Sequence, residues 1–283
     1  MLTLVILMLV TSGILKNAYK KRNQWSRKGD YGRLLVIGGS NIYTGAPFLA
    51  GLAALRAGCD MVTVAAPERA ADIAAKNLNL ITHPLKGDFL ARNHLRELIK
   101  LGADKDAVVI GNGLGRQKET IKAIIRFLEK NNRPIVIDAD AIHAIAKNKK
   151  TIRNNFVLTP HSGEFYVLTG KKVSTNVKER AKAVKSAASG LHCTILLKGH
   201  EDIISDGNKT AINRTGNVFM TKGGTGDVLA GICGSLMAQK INPFDSACAA
   251  AYISGVAGDL AAKEKGPSLL ATDMIEKIPI VVK

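Results

Sequence analysis

From Arg33 onward, short apolar runs alternate with amphipathic stretches along the chain. The runs are "LLVIGG" (34–39), "MVTVAAP" (61–67), "AVVIGNG" (107–113), "PIVIDAD" (134–140), "FVLTPH" (156–161) and "CTILLKG" (193–199). Most end in glycine or a polar turn. Between them, "APFLAGLAALRAG", "KETIKAIIRFLEKN", "AIHAIAKN" and "VKERAKAVKSAAS" have helical periodicity, and two closing helices are expected at 227–239 and about 245–264. Runs that are apolar throughout and joined through helices predict an α/β fold, with a mostly parallel sheet covered on both faces. The segment "EDIISDGNKTAINRTGN" (201–217) breaks the pattern and reads as an antiparallel hairpin turning at Asp206-Gly207. No repeat, proline-rich linker or low-complexity tract interrupts the series. One domain over 28–283 is therefore expected, preceded by an extension over 1–27 with an apolar head.

Composition narrows the class. A chain of 283 residues can bury a substantial core, and 46% hydrophobic with 22% charged residues excludes collagenous, disordered and coiled-coil chains. Cys59, Cys193, Cys233 and Cys248 stand singly with no CxxC pair, which fits free thiols in a reducing cytoplasm. The formal charge of +17 invites a nucleic-acid reading. The lysines are dispersed, however, and aromatics make up only 5%, so the charge is read as serving solubility and the attraction of anionic small molecules, with no nucleic-acid partner. The apolar stretch from Leu4 to Val10 lacks a basic flank and falls far short of the about 20 residues that span a bilayer. An interface helix, an overlong translation start and a membrane anchor remain open for it.

Parallel sheets bind ligands beyond the carboxyl ends of their strands. The polar groups there are "GGSNIYTGA", "GNGLGR", "DAD", "TPHSGE", "KGHED" and the loop "TKGGTGDVLAG". In that loop, glycines leave successive N–H groups unobstructed just before a helix start, a cradle for phosphate or a developing oxyanion. Asp227 has two readings: an ordinary helix N-cap, or a general base beside the anion site that takes a proton from a hydroxyl attacking phosphorus. A plain cap needs no such loop, which favours the base. Asp138 and Asp140 read either as an acid pair for a metal or hydroxyl, or as a strand end capping the next helix.

"GGTGDVLAG" resembles the G-x-G-D signature of ribokinase-like kinases. In order along the chain, "KGDYGRLLVIGGSNIYTGAPFLAGLAALRAGCDMVTVA", "GNGLGR", "VIDADAI", "LTPHSGEF", "LLKG" and "TKGGTGDVLAG" resemble one branch of them, the NAD(P)H-hydrate dehydratases. The resemblance implies a three-layer ribokinase-like α/β fold and a repair reaction. NADH-hydrate or NADPH-hydrate carries a hydroxyl on carbon 6 of its ring. Phosphorylation by ADP, or ATP in some members, turns it into a leaving group, and loss of phosphate restores NAD(P)H. The resemblance makes Asp227 the base, with the amides of Gly223, Gly224 and Gly226 on the transferring phosphoryl group. Ala46, Gly113, Gly115 and His161 match substrate-contacting positions. Lys198, Gly199, His200, Glu201 and Asp202 match the nucleotide-contacting strand end. Glu164 matches an acid that organises Mg2+ and its water, although a helix-start glutamate is equally a capping residue.

The resemblance also implies a homo-oligomer, commonly a tetramer. Two departures stand out. Arg27 occupies a place where many members carry histidine, and 1–27 is too short for the epimerase domain fused to many relatives, so the epimerase, if present, is a separate protein. Rival readings are an ATP-dependent kinase of a small sugar or vitamin alcohol and a nucleic-acid-binding protein. An NAD-dependent dehydrogenase fails because "GNGLGR" is not G-x-G-x-x-G and the next acid in place falls only at Asp138.

Overall fold

In the computed structural model, which describes residues 7–283, the apolar runs become strands whose successive side chains divide between two cores. The first half of the chain gives β1 (Met8–Leu9), α1 (Gly13–Ala18), β2 (Arg33–Ile37), α2 (Ala46–Arg56), β3 (Met61–Pro67), α3 (Glu68–Ala75), β4 (Ile81–Leu85), α4 (Leu95–Ala103), β5 (Ala107–Ile110) and α5 (Lys118–Lys130). There follow β6 (Ile135–Ile137), α6 (Asp140–Ala146), β7 (Phe156–Leu158), α7 (Ser162–Thr169), α8 (Val177–Leu191) and β8 (Thr194–Leu197). The chain closes with β9 (Asp202–Ser205), β10 (Thr210–Asn213), α9 (Thr225–Ala238), α10 (Pro243–Lys265) and α11 (Ala271–Val281).

The strands form one sheet in the order β1-β10-β9-β8-β7-β6-β5-β2-β3-β4. It is parallel from β4 to β8, while β9 is antiparallel to both β8 and β10. The period-2 alternation of a strand explains the two cores. Leu34, Val36 and Val109 face α2, α9, α10 and α11, whereas Leu35, Ile37, Val108 and Ile110 face α4 to α8. The result is three layers.

Several details depart from the sequence-based expectations. Three closing helices follow the glycine loop rather than two, and α9 begins at Thr225, two residues before the expected start. The edge strand β4, "ITHPL", has no counterpart among the expected strands, because it is only partly buried and carries Pro84, which a strand tolerates only at an edge. The expected hairpin is present as β9 and β10. In the apolar head, residues 4–6 lie outside the described residues, while Met8 and Leu9 pair in parallel with Ala211 and Ile212. That part of the head is an edge strand rather than a helix. Val10, Ile14, Leu15 and Tyr19 continue it into the core shared with α10. Among the described residues no helix is long and apolar enough to cross a membrane.

The topology positions the site. From β2 the chain proceeds outward through β3 to β4, then crosses back to β5 on the other side of β2 and proceeds through β6 and β7 to β8. The loops after β2 and β5 therefore diverge and leave a crevice at the carboxyl edge, the usual ligand position in such sheets. Helix α9 runs up to this crevice. A Cβ on Gly231 would run into the Ala50 carbonyl of α2, and one on Gly234 into Val109 of β5. The missing side chains let α9 lie against both neighbours.

Gly231→Ala should therefore cost about 2–4 kcal/mol by urea unfolding, well above a surface change, because backbone rather than a flexible side chain has to move. An unchanged unfolding midpoint would contradict this account of the α2–α9 crossing.

Candidate active site

The residues at the carboxyl edge form a buried polar network around Asp138, which directly follows β6 and is 2% exposed. Its carboxylate accepts from the Thr159 hydroxyl at 2.7 Å, Lys198 Nζ at 2.9 Å and Asn112 Nδ2 at 3.1 Å. The same Asn112 nitrogen donates to Asp227 Oδ1 at 2.7 Å. Glu164, 4% exposed, places a carboxylate oxygen 4.0 Å from Lys198 Nζ. Asp138 and Glu164 thus share one ammonium, whose charge also reaches Asp227. Burial pushes Asp227 up to about 7, the Asp138 and Asp140 charges add to this, and Asn112 and Lys198 oppose it. Glu164 is also raised, first by burial, against the attraction of Lys198. Burial works against the ammonium of Lys198, but Asp138 and Glu164 outweigh it and hold the group protonated.

Asp227 is carried by α9. The helix N-cap is Gly224, whose φ of +96° suits glycine, and no side chain caps it. Asp227 sits in the first turn, so the N-cap reading of Asp227 is set aside. Its carboxylate instead stands where the positive end of a 14-residue helix is strongest. The Thr225 hydroxyl, bonded to the Met220 and Lys222 carbonyls at 2.9 and 3.0 Å, ties down the preceding loop.

Ala46, Gly113, Gly115 and Asp227 are brought together on the wall of a cavity of about 600 Å³, with Tyr43, Phe89, Arg116 and Asp140. It lies in the crevice between the loops after β2 and β5. Gly113 is packed so closely on Tyr43 and Ala46 that a Cβ would collide with them. Asp140 accepts from the Gly115 amide at 2.9 Å and from Arg116 Nε at 2.8 Å. Ala139, between the two acids, has φ +47° and ψ −121°, a strained conformation for alanine. Asp138 consequently joins the buried network while Asp140 lines the cavity, so the two do not form an acid pair. Among the described residues no three His, Cys, Asp or Glu side chains converge as a metal cluster.

His161 is not on this wall. It is the N-cap of α7, 60% exposed, and its Nδ1 accepts from the Gly163 and Glu164 amides. Glu164 returns the bond by accepting from the His161 N–H at 2.9 Å, so the capping reading of Glu164 holds beside its place near Lys198. Two of the expected nucleotide segments meet where Gly226 faces Lys198: a Cβ there would lie 3.4 Å from Nζ. Gly223 and Gly224 continue that loop. The Gly199 amide donates to Asp202, which burial lifts to about 6 against the pull of this bond and one from Asn213. His200 is exposed, and Glu201 is paired with Arg214 at 2.8 Å.

Asn112 and Thr159 are site residues that motif reading passes over. Their only signal is a polar residue within two positions of the end of a buried strand. Their partners are 26 and 21 residues away, with Asp227 a further 115 from Asn112, separations along which no local periodicity runs.

Comparison with known proteins identifies the family and the fold. Residues 34–280 match the family model for NAD(P)H-hydrate dehydratase. The chain is 43% identical over 262 residues to a bifunctional NAD(P)H-hydrate repair enzyme of Pyrobaculum aerophilum, covering 91% of this chain and 52% of that protein. It is 40% identical over 265 residues to the ADP-dependent (S)-NAD(P)H-hydrate dehydratase of Cenarchaeum symbiosum, covering 93% of this chain and 92% of that one. It spans about half the length of the bifunctional curated relatives it matches. The fold superposes on the ADP/ATP-dependent NAD(P)H-hydrate dehydratase of Bacillus subtilis, co-crystallised with ATP and Mg2+, with a TM-score of 0.80 at 27% identity over 97% of each chain. The expected ribokinase-like three-layer fold is thereby met.

The raised Asp227 has a consequence for stability. An unfolded aspartate ionises near 3.8 and the folded one near 7, so over this window the native state holds the extra proton and stability falls as pH rises. Asp227→Asn should accordingly stabilise the fold by on the order of 2–4 kcal/mol at pH 8. The gain should grow from about pH 4 to about pH 7 and then level off. Denaturant unfolding across that range reads it out, and a pH-independent or negative difference would contradict the buried-base account.

Proposed function

Because the chain belongs to the NAD(P)H-hydrate dehydratase family, we propose that it removes water from NADH-hydrate and NADPH-hydrate by phosphorylating the ring hydroxyl with ADP. The observation that carries the reading is the Asp227 carboxylate. It is lifted to about 7, set in the first turn of α9, and lines the cavity at the switch point of the sheet. A base of this strength is balanced between being ionised and being able to take a proton at neutral pH.

In this reading the hydrated nicotinamide enters the cavity walled by Ala46, Gly113 and Gly115. The ADP phosphates approach the 223–226 loop and Lys198. Asp227 accepts the proton of the hydroxyl on carbon 6 as its oxygen attacks the terminal phosphorus of ADP. The phosphorus–oxygen bond to AMP breaks, and the amides at the start of α9 meet the charge that develops. Lone-pair donation from the ring nitrogen then expels phosphate from carbon 6. The neighbouring carbon gives up a proton to restore the double bond. The sum is hydrate plus ADP giving NAD(P)H, AMP, phosphate and a proton.

Magnesium suits this donor set as an ion carried by the nucleotide. No resident carboxylate cluster is present among the described residues, and Glu164, beside Lys198, offers hard oxygens to the ion's water shell. When bound, the ion neutralises phosphate charge during transfer. The four cysteines are all buried and free, in keeping with work in a reducing cytoplasm.

The test is recovery of dihydronicotinamide absorbance from NADH-hydrate with Mg2+ and ADP, ATP or no nucleotide. Recovery should require nucleotide, and Asp227→Asn should lower kcat by about 10²–10⁴-fold while remaining folded. Plotted against pH, kcat/KM should rise through an acid limb near 7. Failure of the folded, unsubstituted protein to restore absorbance with either nucleotide would overturn the reading.

A further inference from the structure

The side chain of Asn112 is wholly buried, yet it is a polar amide in direct contact with the base. One NH2 group donates to two carboxylates carried by different elements, Asp138 after β6 and Asp227 on α9. The Asn112 main chain is fixed as well, its carbonyl accepting from the Gly39 amide at 2.7 Å. Its side-chain Oδ1 is buried without a hydrogen-bond partner among the described residues. A buried orphan acceptor is unfavourable, and native structures carry few of them. Here the alternative is worse. Rotating the amide would turn its oxygen toward two carboxylates, leaving Asp227 without its donor and Asp138 with only Thr159 and Lys198. The orientation is therefore set by the acids, and the amide in turn holds the acids.

We propose that Asn112 is a positioning residue for the Asp227 base: its amide fixes the rotamer of that carboxylate toward the cavity and holds Asp138 and Asp227 as two separate, hydrogen-bonded carboxyl groups. The catalytic side of this assignment rests on the dehydratase reading; the structural side does not. The charged groups facing Asp227 are Asp138 after β6, Asp140 on α6 with Arg116 beside it, and Lys198 after β8 with Glu164 of α7 behind it. Of these, only Lys198 favours the ionised base from close by, and it is bonded to Asp138. Asn112 is thus the direct donor that Asp227 has. Without it the carboxylate should hold its proton to higher pH and lose its fixed orientation.

The experiment compares the unsubstituted chain with Asn112→Leu, which matches the size of the amide, and Asn112→Ser, the milder change should leucine not fold. Each is made with and without Asp227→Asn, and stability is measured against pH. The difference between each chain and its Asp227→Asn counterpart reports the titration of Asp227 without any substrate. Its levelling-off should move up by about one pH unit in either Asn112 variant. In the absorbance assay, the acid limb of kcat/KM should move up with it, lowering kcat/KM at pH 7 by about five-fold, while KM for ADP stays within about two-fold. A stability window that stays in place in the folded variants would overturn the proposal. So would a loss of kcat/KM equal at every pH with an unmoved limb, since that is what a space-filling role would give. If the unsubstituted chain restores no NADH at all, the dehydratase reading falls, and the stability arm still decides the role of Asn112.

Discussion

Three buried or half-buried carboxylates around a single ammonium form the constraint from which the rest of the site follows. Asp138, Glu164 and Asp227 cannot all carry full charge cheaply beside one Lys198, because each extra anion in a poorly solvated place raises the others. The hydrogen bonds are shared unequally among them. Asp138 holds three donors and sits deepest. Asp227 has one close donor and carries the strain as raised basicity. An arrangement that is poor for stability is thus what makes one acid a base at neutral pH. Strained or unfavourable features gather where chemistry is done, and Ala139, held at positive φ between Asp138 and Asp140, belongs to the same group.

The network needs α9 to be close, and closeness is built far from it. Gly231 and Gly234 let α9 lie against α2 and β5, which fixes the height of its first turn over the strand ends. The crossing back from β4 to β5 opens the crevice there. The first turn, the crevice and the network after β6 to β8 then coincide because they share one sheet edge. Helix packing and catalytic geometry are, in this chain, one problem.

Much of this is legible in the sequence. Continuous apolar runs mark the parallel strands, because a sheet covered on both faces leaves no polar side to interrupt the pattern. The glycine-lined approach singles out Asp227, the base of the proposed reaction, because an ordinary cap has no need of it. The less legible parts depend on partners distant in the chain. Asn112 sits in a glycine-rich turn that suggests only backbone chemistry, and nothing local shows that its amide spans two acids. The edge strand β4 escapes for the opposite reason, since a strand exposed on its outer side and broken by Pro84 has no apolar signature. Met8 and Leu9 read from sequence as part of a helix, anchor or stray start. Their role as an edge strand exists only through pairing with β10, at Ala211 and Ile212 far along the chain.

The strength of the base bears on why a kinase-like site suits a dehydration. An aspartate near its usual value would be ionised at neutral pH but too weak to draw a proton from an alcohol. One raised far above neutrality would be the stronger base and would seldom be ionised. A value near 7 balances the two, and it also lets the proton taken in phosphorylation pass to water without a second acid. The later loss of phosphate is driven by the ring nitrogen and needs no strong catalyst from the protein. In the proposed reaction the residues therefore concentrate on one step: making the hydroxyl a nucleophile beside a helix end that tolerates the transferring phosphoryl group. Such a site would phosphorylate any alcohol that fits it. In this reading the outcome is a dehydration because the hydroxyl that the cavity admits sits next to a nitrogen able to expel it.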